Sequence, residues 1–217
     1  MPSIPARKSL NGNKRPLLLA GMMAKFLVKE SGEMDKYNIP GVKTFEYTKI
    51  IGVENIEFGH HILIDDFAFI YAKKPMKFGN FIHIASFVTI TGGEGLVLED
   101  FSGIGSGARV YTGTDDFKAW GFGNPTIDEK YRNLRRAPIH IGKFSIVGAN
   151  SVILPGVTIS EGAMVGACSV VTRDLEPWGI YVGNRRVGER DKAKVLENYN
   201  QYLRDVESEA KGRGMRY

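Results

Sequence analysis

This 217-residue chain has a single cysteine, two tryptophans and four histidines. The lone cysteine, Cys168, excludes a disulfide framework and fits a reducing compartment such as the cytoplasm. Long apolar runs are missing too. The most apolar stretch, LLLAGMMAKFLV at residues 17–28, is interrupted by Lys25 and is too short to span a bilayer. No small-residue cleavage site follows the basic segment before it. A short helix is expected there, without membrane contact. The net charge is +5 and the pI near 9.2, yet no concentrated basic run is interleaved with aromatics. Nucleic acid is therefore not an expected partner, whereas small anionic ligands such as nucleotides suit the charge. No histidine pair stands at zinc-ligand spacing around His83, so no metal is expected.

What the chain does have is a period of six. From Ile141 it reads IGKFSI, VGANSV, ILPGVT, ISEGAM, VGACSV, VTRDLE. An aliphatic residue opens each block, at Ile141, Val147, Ile153, Ile159, Val165 and Val171. Four positions later come Ser145, Ser151, Val157, Ala163 and Ser169, all small or compact. That period is neither helical nor a simple alternating strand. It predicts a parallel β-helix, each block forming one flat side of a triangular coil and both recurring positions pointing inward. The pattern starts less regularly at Phe58, Phe78 and Leu98, twenty residues apart. A bare coil needs about eighteen by the same repeat logic. The surplus falls at one corner, in YAKKPMK, TGGEG and the excursion at residues 111–138. Loops stacked on one corner of a solenoid commonly build its binding face.

The expected organisation is an N-terminal tail and helix at residues 1–40, a β-helix at 41–183 and a C-terminal helical cap at 184–217. Val195, Tyr199, Tyr202, Leu203 and Val206 recur at helical spacing in the last segment. The cap is expected over the open end of the solenoid, where it would block edge pairing.

Alternation places His83, between the inward Ile82 and Ile84, on the outer surface. Imidazole, whose ordinary pKa is about 6.5, can take a proton at neutral pH. His60 shares an offset with Asn80 and Asp100, a candidate polar ladder, and His61 shares one with Phe81 and Phe101. His140 is expected to end the loop structurally. Asp115 and Asp116 follow Gly113 at the elaborated corner. One carboxylate could bind substrate or orient His83, or both could be turn residues. Glu99 is a weaker candidate for orienting the base. Asn124 and Thr126 flank Pro125 and either touch substrate or shape a turn. Ala149, Ala167 and position 185 are eighteen apart and are expected to stack on one corner. With Gly148 and Gly166 they would leave backbone amides open, or merely permit tight corners.

The repeat region resembles the hexapeptide-repeat acyltransferases. SVILPGVTI and PWGIYVGN look like the closing segment of the sugar acetyltransferases in that family. FIHIAS, LEDFSGIGSG, TGTDDF and GNPT resemble the subgroup acting on bacterial sugars, both galactosides and nucleotide-linked amino sugars. The resemblance implies a left-handed parallel β-helix and a homotrimer with active sites between neighbouring subunits. It implies acetyl-CoA as donor and His83 as general base, with Asp116 or Glu99 in support and Asp115, Asn124 and Thr126 at the acceptor. Gly148, Ala149, Gly166, Ala167, Arg173, Arg185 and Arg186 would then hold CoA, the arginines through its phosphates. One departure is visible: Arg185 and Arg186 follow Asn184 where the family has Pro-Ala. N-acetylation of a nucleotide-linked amino sugar for surface polysaccharide is the expected activity. The alternatives are O-acetylation of a galactoside or polysaccharide hydroxyl, a metal enzyme on the same fold, and a non-catalytic structural solenoid.

Overall fold

The computed structural model describes residues 36–115, 118 and 120–212; the expected helix near residue 17 and Asp116 lie outside the described residues. Three parallel sheets wind into a β-solenoid of about seven turns. The first face carries β1 (Val42–Thr44), β4 (Ile62–Ile64), β7 (Ile82–Ile84), β10 (Gly103–Ile104), β15 (Ile146–Val147), β18 (Met164–Val165) and β20 (Gly179–Val182). The second carries β2 (Lys49–Ile51), β5 (Phe69–Tyr71), β8 (Thr89–Thr91), β11 (Arg109–Tyr111), β16 (Val152–Ile153) and β19 (Val170–Val171). The third carries β3 (Ile56–Phe58), β6 (Met76–Phe78), β9 (Leu96–Leu98), β14 (Ile139–Ile141) and β17 (Thr158–Ile159). The mainly β, six-residue architecture expected from the sequence is the one observed.

The reason is packing. Ile64, Ile70, Ile84, Ile90, Ile104, Val110, Val147, Ile153 and Ile159 all point inward and are fully buried. The small second position is buried as well, at Ser145, Ser151, Val157, Ala163 and Ser169. Buried hydroxyls need partners. Ser145 Oγ donates to the Ser160 carbonyl at 2.7 Å, and Ser151 Oγ to that of Gly166 at 3.0 Å.

The two surplus residues lie between the second and third faces, as the spacing predicts. Strand partners are twenty residues apart at Ile62↔Ile82 and eighteen at Ile146↔Met164. Between them Gly103 pairs with Ile146, across the whole excursion. The excursion has its own antiparallel hairpin, β12 (Gly113–Asp115) with β13 (Leu134–Arg136).

The last coil is shorter. Met164 pairs with Ile180, and β21 (Arg185–Glu189) then turns back antiparallel on β20. Residues 185–189 are therefore strand where the sequence reading placed them in the helical segment. Arg190 donates to the carbonyls of Phe144 and Gly162 and lies 6.0 Å from the Trp178 ring. Burial lowers its pKa below the usual arginine value. The C-terminal helix α1 runs over Lys192–Gly212, beyond the compact unit that the solenoid belongs to. No described helix is long and apolar enough to cross a membrane.

The corner between the third and first faces carries a ring ladder. His61, Phe81, Phe101, Phe144 and Trp178 all have left-handed backbone, φ between 57° and 62°. Successive rings stack at 4.4 Å for His61–Phe81 and 4.5 Å for Phe81–Phe101. Beside them His60 N donates to Asn80 Oδ1 at 3.1 Å, and Asn80 N to Asp100 Oδ1 at 2.7 Å, so the expected polar ladder exists. Burial, then the charge of His60, lowers the His61 pKa to about 4. The two rings share an Nδ1···Nδ1 hydrogen bond of 2.8 Å, which a doubly protonated pair could not make.

This shift gives a signed expectation. The folded-state pKa lies below the ordinary 6.5, so the unfolded chain takes up the proton first. The contribution is complete above 6.5 and drains away as pH falls toward 4. Melts at pH 7.5 and pH 5 should differ in the native protein, and His61→Phe should shrink the difference. An equal acid sensitivity in the variant would contradict this.

Candidate active site

β7 lies in the first face with Ile82 and Ile84 locked inward. The strand's pleat therefore throws His83 outward, where its side chain is 53% exposed. One coil earlier, β4 ends at Ile64 and the chain turns a corner. The Asp65 amide donates to the Ile84 carbonyl at 2.9 Å, fixing that corner beside β7. The Asp65 side chain is then delivered to the imidazole, with Oδ2 3.0 Å from His83 Nε2. A carboxylate only accepts, so Nε2–H is the donor of this contact, and the neutral ring in that tautomer has its lone pair at Nδ1. The result is an oriented histidine at an open edge.

The carboxylate beside His83 is thus Asp65, which the sequence reading did not name. A signal existed: with twenty-residue coils, residue 63 lies under residue 83, and Leu63↔His83 is the observed pair. Asp65 is two positions further on. Glu99 is committed elsewhere, to His140 Nε2 at 2.9 Å and the Lys143 amide at 2.9 Å. It belongs to the third face and does not orient His83. His140 itself lies in the middle of β14.

Asp115 sits in β12 and is held by Arg132, with Nη2 3.1 Å from Oδ1 and 3.3 Å from Oδ2. The Asn124 side-chain oxygen accepts from the Thr126 amide at 3.0 Å and its hydroxyl at 2.9 Å, closing an exposed turn. These residues are brought together by the hairpin loop.

The small-residue corner lies between the first and second faces, the same corner that carries Asp65. The Cys168 amide donates to the Ala149 carbonyl at 2.8 Å, so coils five and six are stacked there. Gly148 and Gly166 lie in the same two turns. A Cβ on Gly148 would come within 2.5 Å of the Val165 carbonyl and 2.6 Å of the Ala167 amide. Coil stacking by itself demands glycine there. Ala167 is exposed, and Ala149 partly so. The expected third rung at 185 is not formed, because the shortened last coil carries Arg185 into β21. Arg186 pairs with Glu189 at 2.8 Å, and Arg173 reaches the Asn184 carbonyl at 3.5 Å. No cluster of three or more metal-ligating side chains exists among the described residues.

Comparison with known proteins bears on the repeat and the fold. Residues 138–173 match the bacterial transferase hexapeptide (six repeats) family model. The dTDP-4-amino-4,6-dideoxy-D-glucose acyltransferase of Escherichia coli is 33% identical over 159 residues, 72% of this chain and 82% of that protein. The N-acyltransferase AntD from Bacillus cereus, solved with dTDP and 3-hydroxybutyryl-CoA, superposes with a TM-score of 0.72 at 35% identity. The match covers 77% of this chain and 89% of AntD. A mutant of AntD solved with dTDP-4-amino-4,6-dideoxyglucose and coenzyme A gives 0.72 at 34% identity, over 76% and 88%. Repeat, solenoid and relatives agree: the chain belongs to the hexapeptide-repeat acyltransferases, which makes it an acyl-CoA-dependent acyltransferase.

Proposed function

We propose that the protein transfers an acetyl group from acetyl-CoA to the amine of a nucleotide-linked amino sugar destined for surface polysaccharide. The observation carrying this reading is the Asp65–His83 pair at an open corner, in a chain whose relatives act on or bind dTDP-linked amino sugars. His83 Nδ1 takes the proton from the acceptor nitrogen as that nitrogen attacks the thioester carbonyl. Asp65 holds the ring through Nε2–H and stabilises the imidazolium. The C–S bond breaks, and the thiolate of CoA recovers the proton from the imidazolium. The donor arm runs along the Gly148–Ala149 and Gly166–Ala167 corner toward His83, and Arg173, Arg185 and Arg186 serve its phosphates. Asp115, Asp116, Asn124 and Thr126 belong to the loop that closes over the acceptor. A neighbouring subunit of a homotrimer completes each site, and the enzyme works in the cytoplasm.

A thiol-release assay decides between acceptors. With acetyl-CoA as donor, a dTDP-linked 4-amino sugar should support turnover at least about tenfold better in kcat/KM than a free galactoside. Equal or better turnover of the galactoside would favour O-acetylation instead.

A further inference from the structure

The corner beside Asp65 carries a second ring ladder. Tyr47 and Phe67 stack with centroids 5.4 Å apart, Phe67 and Phe87 at 5.1 Å, both pairs within 5° of parallel. Phe67 and Phe87 have the same left-handed backbone as the His61–Trp178 ladder, with φ 62° and 63°. The backbone is therefore common to both corners and explains nothing by itself. Covering differs. In the first ladder Phe144 and Trp178 are buried, and Arg190 lies against Trp178. In the second, Tyr47, Phe67 and Phe87 are 57%, 52% and 57% exposed. Three adjacent rings left open to water mark a surface built to be covered.

The same corner changes character along the solenoid. Rungs one to three are Tyr47, Phe67 and Phe87; the next three are Gly107, Asn150 and Cys168. The Gly107 amide donates to the Ser86 carbonyl and the Asn150 amide to that of Ser106, both at 2.9 Å, so these rungs lie on one line. The switch from rings to small side chains falls at the level of His83. We propose that it separates acceptor from donor, and that the Tyr47–Phe67–Phe87 ledge seats the pyrimidine nucleoside of the acceptor. This rests on the acyl-transfer reading above.

Three considerations select that occupant. The ledge is flat and apolar, which suits a base better than a phosphate. Asp65 and Asp66 stand at its side, with Asp66 Oδ1 accepting from the Tyr47 amide at 2.8 Å. Asp65 attracts an amine, so the amino sugar points to His83 while the base lies along the rings. The ledge extends two coil spacings, about 10 Å, which leaves room for ribose and diphosphate between base and amine. The adenine of CoA is excluded by its own length: with the thioester at His83, the pantetheine arm holds adenine far from a ledge that ends two coils from that histidine.

Calorimetric titration of the full-length protein with dTDP and, separately, with CoA tests the assignment. Phe67→Ala and Phe87→Ala should each weaken dTDP binding about tenfold, the scale of a lost aromatic contact. CoA binding should stay within about twofold, since no donor contact is removed. Phe67→Leu and Tyr47→Ser are milder variants that keep the test usable if an alanine variant misfolds, and each should weaken dTDP alone. Unchanged dTDP binding in every folded variant overturns the assignment. So does loss of CoA binding instead, or a fall in solution mass with loss of both ligands, which would make the ledge an interface between copies. Failure of the acyl-transfer reading looks different: the native protein would transfer no acetyl group to any nucleotide-linked amino sugar, whatever its affinity for dTDP.

Discussion

His83→Ala should lower kcat for acyl transfer by about 10²–10⁴-fold, the range for loss of a positioned general base. The side chain is half exposed on a rigid strand whose neighbours Ile82 and Ile84 carry the packing. Truncation therefore leaves no cavity, and the melting temperature should move little. Asp65→Asn should give a loss of comparable size, about 10²–10⁴-fold, because the amide no longer fixes the Nε2–H tautomer and the negative charge that favours the imidazolium is gone. Steady-state kinetics with circular dichroism melts as control would check both. Native-like turnover by folded His83→Ala would remove the histidine from the chemistry altogether.

Phe78→Ala should be the more damaging change for the fold. Phe78 is among the largest fully buried side chains and meets Phe58 edge-on at 5.6 Å. Removing a buried phenylalanine costs about 3–5 kcal/mol, the transfer term plus the cavity term. Stacked coils close such a gap poorly, because each strand is hydrogen-bonded to the coil on either side. For a chain of this size the melting midpoint should fall by about 10 °C or more. Phe78→Leu should recover much of it. A midpoint unmoved by the alanine change would show that the coil relaxes into the space.

Most of the fold was readable because its repeat is short and its side-chain rule strict. Ile141 to Val171 gave the inward positions directly, and the surplus pairs of residues marked the elaborated corner. The limits of that reading are equally physical. Glu99 meets His140 across forty-one residues of sequence, because the excursion intervenes and no period carries through it. Arg132 meets Asp115 only through a hairpin inside that loop. The stacking of 149, 167 and 185 failed at its last member because Met164 pairs sixteen residues on, not eighteen. The outward histidine was predicted from alternation, but its carboxylate lay in the preceding coil, where the coil period had to be used a second time to find it.

The pairing of Gly103 with Ile146 shows how tolerant this architecture is of inserted chain. Neither strand registers that dozens of residues separate them, since both ends of the insertion leave and rejoin at neighbouring points of one corner. A whole loop can therefore be exchanged at that corner while the Asp65–His83 pair, set on another edge of the prism, keeps its place.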